Sequence, residues 1–288
     1  MDTKYVVITP ARDEAEHLER TILSMAGQTI LPTSWIIVND GSRDNTEAIA
    51  RKYAVQHDWI RVISLPDRGH RKPGGGVVDA FNAGFATLPC SDWEFIAKLD
   101  GDLSFDPDYF EQLLARFRAN PQLGIAGGCL YHIVAGIPEV EECPRFHVRG
   151  ATKVYRDSCW RAIGGLLSAP GWDAIDEVKA NMLGWTTETF PEIRILHHRF
   201  TGAAQGSWRD SLKNGRADYV AGYHPLFMAA KCIRRIAKKP YIVQAVGLGI
   251  GFLSGYWRKV PQVNDRALIS YVRSQQMRRL FGGATMWK

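Results

Sequence analysis

The sequence predicts an α/β fold in which a mostly parallel sheet is flanked by helices and followed by a basic helical C-terminal region. From residue 4 to residue 99, short apolar runs alternate with stretches of helical periodicity, as is typical of parallel sheets built from strand–helix–strand units. Loops rich in aspartate, glycine or proline follow several of these runs. Because the composition changes near residue 206, we expect an α/β domain over residues 1–206 and a helical region over residues 207–288.

Four apolar segments are predicted to be buried strands, and helices are predicted between them. The strands are Lys4–Thr9, Trp35–Val38, Ile60–Leu65 and Phe95–Leu99. The intervening stretches carry apolar residues at helical spacing, namely Leu18, Ile22 and Met25, then Ile49 and Tyr53, then Ala80, Phe81 and Phe85. Parallel strands joined by helices place their carboxyl ends at one edge of the sheet, so the loops after these strands are expected to gather there.

The run Asp100-Gly101-Asp102 directly follows the fourth predicted strand. Side chains two positions apart on an extended chain face the same way, so both carboxylates can approach one hard cation. Mg²⁺ or Mn²⁺ held by few protein oxygens keeps coordination positions free for substrate phosphates. An Asp-Gly pair is also a common turn former, and a solvated turn is the alternative interpretation.

Four motifs occur in order along the chain: Thr9–Glu14, Val38–Ser42 with Asp44–Thr46, Ala80–Gly84 and Asp100–Asp102. Together they resemble the family 2 inverting glycosyltransferases, which have the GT-A fold and use nucleotide-sugar donors. The resemblance covers about the first two hundred residues, and an ordered set is more specific than any one motif. The resemblance implies a metal-dependent transferase whose donor is a nucleotide sugar, with UDP-sugars as the first candidates and GDP- and dTDP-sugars next.

The same resemblance assigns roles to residues of this chain. It implies that four residues line the nucleoside pocket, with Asp40 near the base: Pro10, Arg12, Glu14 and Asp40. It implies that Asp102 holds Mg²⁺ or Mn²⁺ on the donor diphosphate and that Asp100 lies near the ribose or the metal. Each position also has a plain structural interpretation as a turn or helix cap.

Inverting transfer needs a carboxylate that removes the proton from the acceptor hydroxyl. In the resembling family this base opens a helix beyond the metal motif, and the corresponding stretch here is Pro170–Glu177. It departs from the usual Glu-Asp pair because Trp172 stands before the aspartate. Asp173 is the first candidate for the base, with Asp176 and Glu177 as alternatives; all three also suit the first turn of a helix.

Two basic groups are further candidates for donor contacts. His198 of the His197-His198 pair is the first choice as an additional metal ligand, and Arg199 is a candidate to bind a phosphate oxygen. Since adjacent strand residues point to opposite faces, at most one of the two histidines is expected to face the site. A basic, glycine-rich loop that includes Lys72 is a candidate phosphate-binding loop, although it lacks the ending of a P-loop and suits a plain surface loop as well.

Composition indicates a folded enzyme in a reducing compartment. The 288 residues are 45% hydrophobic, which suffices for a substantial core, and the five cysteines have no C-x-x-C spacing. The N-terminus runs straight into a strand, so we expect no signal peptide. These observations argue against a disordered protein, a zinc framework and a disulfide-stabilised secreted domain.

The net charge of +6 conceals a marked asymmetry. Residues 1–206 contain 21 Lys and Arg against 27 Asp and Glu, whereas residues 207–288 contain 15 Lys and Arg against three acids. In the latter region, the cations from Lys231 to Lys239 and Arg258-Lys259 flank the uncharged segment Pro240–Trp257. This pattern suits an anionic membrane surface, and the tail has no nucleic-acid-binding signature.

The segment Pro240–Trp257 allows three interpretations: an interfacial or re-entrant helix, a membrane span and a soluble helix packed on the catalytic domain. The interfacial helix is the preferred one. Gly247, Gly251 and Gly255 recur every four residues and predict a smooth stripe for close helix packing, within the chain or between copies in a homo-oligomer.

The sequence therefore predicts a GT-A-like transferase that lies at the cytoplasmic face of the membrane as a peripheral protein. The acceptor is expected to be a glycan or a lipid-linked hydroxyl used in surface polysaccharide or glycolipid assembly, and no nucleic-acid partner is expected. Two alternatives are a nucleotidyltransferase on the same fold, which releases pyrophosphate, and a nucleotide-sugar-binding scaffold without turnover.

Overall fold

The computed structural model describes residues 3–69, 75–89, 91–134, 137–141, 143–199, 207–237 and 241–287. Contacts within the chain divide it into two compact units. The first unit comprises residues 1–168 and 183–200, and the second comprises residues 169–182 and 201–288. The helix that carries the candidate base thus groups with the C-terminal region, whereas the sequence placed it in a continuous domain ending at residue 206. That functional boundary stays a prediction.

The first unit is an α/β unit. Its strands are β1 Tyr5–Ala11, β2 Ser34–Asp40, β3 Ile60–Leu65, β4 Phe95–Leu99, β5 Leu103–Phe105, β6 Leu123–Val134, β7 Ile137–Val140, β8 Thr152–Arg156 and β9 Thr186–His197. Its helices are α1 Leu18–Ala26, α2 Thr46–Gln56, α3 Gly75–Phe85, α4 Tyr109–Ala119 and α5 Asp157–Ile163. The predicted alternation of four strands with helices is confirmed.

In the described residues, nine strands form one sheet in the order β3-β2-β1-β4-β8-β6-β9-β5, with β7 paired to β6. The first four strands in this order, β3, β2, β1 and β4, are parallel, as predicted. Therefore β1, β2 and β4 end at the same edge of the sheet. From β8 onward the sheet is mixed, because β8 pairs antiparallel with both β4 and β6 while β6 and β9 are parallel. The predicted fold class is therefore confirmed.

Alternation of side chains along the strands builds a core on each face of the sheet. Tyr5 and Val7 of β1 belong to a fully buried cluster that also contains α1 and α4 residues. On the other face α3 packs so closely that a Cβ atom on Gly84 would lie 2.7 Å from Val38 Cγ2 and 2.8 Å from Ile8 Cγ2. The rigid centre of the sheet fixes the positions of the loops at its carboxyl edge.

The second unit is helical. Its helices are α6 Trp172–Met182, α7 Ser207–Val220, α8 Pro225–Ile236, α9 Tyr241–Trp257 and α10 Arg266–Leu280. Ile175 and Val178 of α6 pack with Leu268 and Val272 of α10. A second apolar cluster joins α7, α8 and α9. Within the described part of the chain, none of the helices has both the length and the apolar character that crossing a membrane requires.

Candidate functional site

The loops after β1 and β2 are bonded to each other at the carboxyl edge of the sheet. Asp13 adopts a φ of 55°, which is uncommon for a residue other than glycine, and its side chain accepts a hydrogen bond from the Arg43 amide at 2.9 Å. The Asp13 amide donates to Ser42 Oγ at 3.1 Å, and the Glu14 amide donates to Thr46 Oγ1 at 2.8 Å. These bonds hold Arg12 and Glu14 at the ends of the turn. Pro10 lies on β1 opposite Val38 of β2.

Arg12 and Asp40 belong to a network of charges beside these loops. Arg12 donates to the Asp40 carbonyl oxygen at 2.6 Å and to Asp67 Oδ1 at 2.7 Å, and Arg68 forms an ion pair with the Asp40 carboxylate. Burial raises the pKa of Asp40, while the charges of Arg68 and Arg12 oppose this rise. Gly41 has a φ of +65°, and a Cβ atom there would lie 2.5 Å from the Asp67 backbone, so the close approach requires glycine.

Lys98 holds Asp100 at the end of β4. The Lys98 side chain is almost fully buried, pairs with the Asp100 carboxylate and donates to the Gly150 carbonyl oxygen at 2.5 Å. Burial raises the pKa of Asp100; the nearby charge of Lys98 lowers it, and that of Asp102 raises it. Lys98 was not predicted to be a site residue, because it interrupts an apolar run without changing the strand pattern. A lysine inside an otherwise apolar strand that ends in aspartates is the signal that could have identified it.

Asp102 lies in a nearly closed environment, with only 6% of the residue exposed. His197 Nε2 lies 3.3 Å from Asp102 Oδ2, and Arg199 Nε lies 3.8 Å from the same oxygen. Burial favours the neutral acid, but the hydrogen bond and charge of His197 and the charge of Arg199 lower the pKa of Asp102. Among the described residues, the other oxygen of Asp102, Oδ1, is buried without a hydrogen-bond partner. A buried carboxylate oxygen in this condition suits a cation.

The Arg199 guanidinium connects the loops that follow β1 and β4. It donates to Glu14 Oε2 at 2.5 Å and to the Asp13 carbonyl oxygen at 3.2 Å, besides its contact with Asp102. The structure thus brings together three predicted residues, Glu14, Asp102 and Arg199. Lys72 lies outside the described residues.

The two adjacent histidines face different surroundings. His198 Nε2 lies 2.7 Å from Ser104 Oγ, and its ring stacks on His17 with centroids 6.2 Å apart. Its backbone amide donates to the Asp102 carbonyl oxygen at 2.9 Å. The placement therefore favours His197, and not the predicted His198, as the histidine beside Asp102.

A cluster of potential metal ligands adjoins Asp102. Nitrogen or oxygen atoms of His132, Glu141 and His197 all lie within 4.8 Å of one another. His132 Nε2 is 2.8 Å from Glu141 Oε2, and Arg149 forms an ion pair with the other oxygen of Glu141. His132 and Glu141 were not predicted from the sequence. His132 lies opposite His197 only because β6 and β9 pair in parallel, and no local motif signals that pairing.

The candidate bases lie on α6, in the second unit. Gly171, with a φ of +81°, precedes the helix, and Asp173 occupies its first turn as a half-buried residue. Asp176 and Glu177 are each only 4% exposed, and Asp176 Oδ1 accepts the Glu177 amide at 2.7 Å. Trp172 is buried. Of the three acids, Asp173 is the one with appreciable solvent exposure.

The chain is similar to known proteins in sequence and in fold. Residues 6–140 match the family model described as Glycosyl transferase family 2. Over 125 residues the chain is 30% identical to a chondroitin synthase of Pasteurella multocida strain Pm70, covering 43% of this chain and 12% of the synthase. The chain thus spans only a small part of this relative's length.

Two solved structures share the fold. A Pyrobaculum calidifontis mannosyltransferase, in complex with GDP-Man and Mn²⁺, superposes with a TM-score of 0.57 at 15% identity, covering 99% of this chain and 77% of that chain. S. aureus TarS 1-349, in complex with UDP-GlcNAc, gives 0.56 at 15% identity, covering 96% and 81%.

The fold is that of the GT-A glycosyltransferases. The motifs after β1, β2 and β4 lie within residues 6–140, the range matched by the family model. The chain carries a glycosyl transferase family 2 domain, matched over residues 6–140.

Proposed function

We propose that this chain transfers a sugar from a nucleotide-sugar donor to a hydroxyl group of a glycan acceptor, with inversion and with the help of Mg²⁺ or Mn²⁺. The observation that carries the proposal is Asp102, whose buried Oδ1 has no hydrogen-bond partner among the described residues while His197 and Arg199 surround the carboxylate. Its position after β4 of a family 2 domain is where the resemblance assigns the metal ligand.

The carboxylate and imidazole groups at this position fit a divalent cation. Asp102 and His197 are the residues that would hold it, and the cluster of His132 and Glu141 offers further oxygen and nitrogen atoms next to them. When bound, the cation supplies charge that stabilises the leaving diphosphate. The Mn²⁺ in the structure of the Pyrobaculum mannosyltransferase supports this proposal for the present chain.

The remaining residues at the sheet edge bind and orient the donor. We assign Asp40, in its ion pair with Arg68, to the nucleoside, together with Pro10 and Arg12. Arg199, held by Glu14, is positioned to interact with phosphate oxygens because guanidinium groups match their geometry. UDP-sugars are the first donor candidates and GDP-sugars the second, since each class is present in one of the solved structures named above.

Asp173 is proposed as the base that takes the acceptor proton. It occupies the first turn of α6 and retains solvent exposure, whereas Asp176 and Glu177 are buried. A base has to reach an incoming hydroxyl group, and this favours Asp173, the more exposed of the three acids. A glycan acceptor is in keeping with the similarity to a chondroitin synthase, and a lipid-linked one with the basic tail.

The test is a panel of UDP-, GDP- and dTDP-sugars incubated with the full chain and Mn²⁺ or Mg²⁺, with release of nucleoside diphosphate as the readout. We expect slow donor hydrolysis for at least one sugar nucleotide, faster release with a glycan acceptor and loss of both in EDTA. Pyrophosphate release from nucleoside triphosphates would instead identify a nucleotidyltransferase. Donor binding by calorimetry without any turnover would identify a binding scaffold.

A further inference from the structure

The outward face of α9 is an exposed apolar stripe. Five side chains at spacings of four, four, three and four residues share this face, and each is between 44% and 89% exposed: Ile242, Val246, Ile250, Leu253 and Trp257. Such spacing places all of them on one side of a helix. Contiguous exposed apolar surface of this kind marks an interaction site.

The opposite face of α9 is already occupied within the chain. The glycine stripe packs on α7 so closely that a Cβ atom on Gly251 would lie 2.2 Å from the Leu212 carbonyl oxygen. A Cβ atom on Gly255 would lie 2.1 Å from the Tyr219 ring. The predicted close packing is thus internal, and the apolar stripe is the face that this packing leaves outward.

The neighbouring helix α8 also exposes apolar side chains and carries positive charge. Its exposed apolar side chains are Leu226, Ile233 and Ile236, and its last turn carries the exposed Arg234 and Arg235. Arg235 Nε donates to Gln244 Oε1 of α9 at 3.0 Å, so a cation of α8 contacts the first turn of α9. We call the exposed residues named here on the two helices the α8–α9 surface.

Negative charge is scarce around this surface. Residues 207–288 contain only Asp210, Asp218 and Asp265 as acids. Asp218 forms an ion pair with Lys231 at 2.7 Å, and Asp265 forms one with Lys179 at 3.3 Å. The charge that remains is strongly positive, including Arg258 and Lys259 directly after α9.

We propose that the α8–α9 surface docks on the interfacial region of a bilayer that contains anionic lipid. The apolar stripe enters the boundary between headgroups and acyl chains, while the arginines contact lipid phosphates. The aromatic side chains at both ends of α9, Tyr241 and Trp257, suit this boundary because they are amphipathic. Since anionic lipid is concentrated in the cytoplasmic leaflet, the surface places the chain there as a peripheral protein.

The experiment is co-sedimentation of the full chain with vesicles of phosphatidylglycerol and phosphatidylcholine, and with phosphatidylcholine alone, over a salt series. We expect binding to the anionic vesicles that weakens as salt rises. Arg234→Gln with Arg235→Gln should weaken it by about fivefold per cation. Ile250→Gln with Leu253→Gln should reduce binding at every salt concentration.

The matched control is Leu23→Gln with Val55→Gln, two exposed apolar residues on helices of the first unit. These changes should leave binding unaltered, and thermal unfolding should show that every variant is folded. A full chain that stays in the supernatant at low salt overturns the proposal. So does a homodimer in solution that Ile250→Gln with Leu253→Gln converts to a monomer, because the surface would then belong to a second copy. Because no donor is present, the outcome is independent of the proposed transfer.

Discussion

The carboxyl edge of the sheet and the α8–α9 surface differ in which side chains they expose to solvent. At the sheet edge, charged groups such as Lys98 and Asp102 are withdrawn from water, at 2% and 6% exposure, and held by partners of opposite charge. On α9, apolar groups such as Leu253 and Trp257 are 63% and 89% exposed. Each arrangement costs free energy in the isolated chain.

The difference shows which ligand each region suits. A buried carboxylate with one unpartnered oxygen suits a small cation and the phosphates that accompany it. An exposed apolar stripe edged by cations suits an extended anionic surface. The two regions can therefore be tested separately, with a soluble donor for one and vesicles for the other.

The largest effect is expected from the proposed base. Asp173→Asn should lower transfer by about 10²–10⁴-fold, because the amide cannot take up the acceptor proton. Donor affinity measured by calorimetry should remain at the wild-type value. Asp210→Asn, which also removes an acid from the first turn of a helix in the same unit, is the control. Normal transfer by Asp173→Asn together with inactive Asp176→Asn would move the base by one helical turn.

The next-largest effect concerns stability and compares two glycines of α9, one packed against α7 and one with room for a side chain. Gly251→Ala should lower the free energy of unfolding by about 1–3 kcal/mol, since its Cβ atom has no room beside Leu212. Gly249→Ala is the matched control, because the nearest atom to its Cβ is Cys232 Sγ at 3.7 Å. That change should be neutral or stabilise the helix by up to about 1 kcal/mol. Urea unfolding of both variants is the measurement, and equal destabilisation would show that α7 does not pack on the glycine face.

The smallest effect concerns the start of α10. Asp265 Oδ1 accepts a hydrogen bond from the Leu268 amide at 3.0 Å, so Asp265→Ala should cost about 1 kcal/mol, while Asp265→Asn should keep the cap. The hydrogen bond from Leu268 lowers the pKa of Asp265 below its ordinary 3.8. The negative charge of Asp265 therefore stabilises the folded unit above pH 3.8. This contribution is lost as the pH falls through the lowered pKa of the folded state. Thermal unfolding of the wild type and Asp265→Asn should converge as the pH falls below about 4; a constant difference would contradict this sign.

The sequence was informative where a rule of sheet geometry applied. Asp40 ends β2 and Asp100 directly follows β4, so the loops after these strands had to lie at a common edge. The same rule could not predict which side of the sheet His132 and His197 face. β6 and β9 pair with a register shift between Gly128 and Cys129, and a shift of one residue reverses which face a side chain occupies. His132 and His197 meet through this long-range pairing.

Long-range packing also limited the prediction of the second unit. Ile175 and Val178 pack with α10, about ninety residues along the chain, so α6 groups with the C-terminal helices. The glycine stripe of α9 predicted close packing correctly, because only small residues permit it. Its partner, α7, became evident only in the structure.

The proposed metal-dependent mechanism depends most directly on Asp102. Turnover of the nucleotide-sugar donor by Asp102→Asn is the measurement that tests it. With Mn²⁺ present, this variant should release nucleoside diphosphate at least about 10²-fold more slowly than the wild type, since losing one such stabilising group costs about 3 kcal/mol or more. The wild type should lose activity in EDTA. Asp92→Asn, which removes an exposed carboxylate of the same unit, should retain it. Parental turnover by a folded Asp102→Asn, or wild-type turnover unchanged in EDTA, would contradict the metal-dependent mechanism.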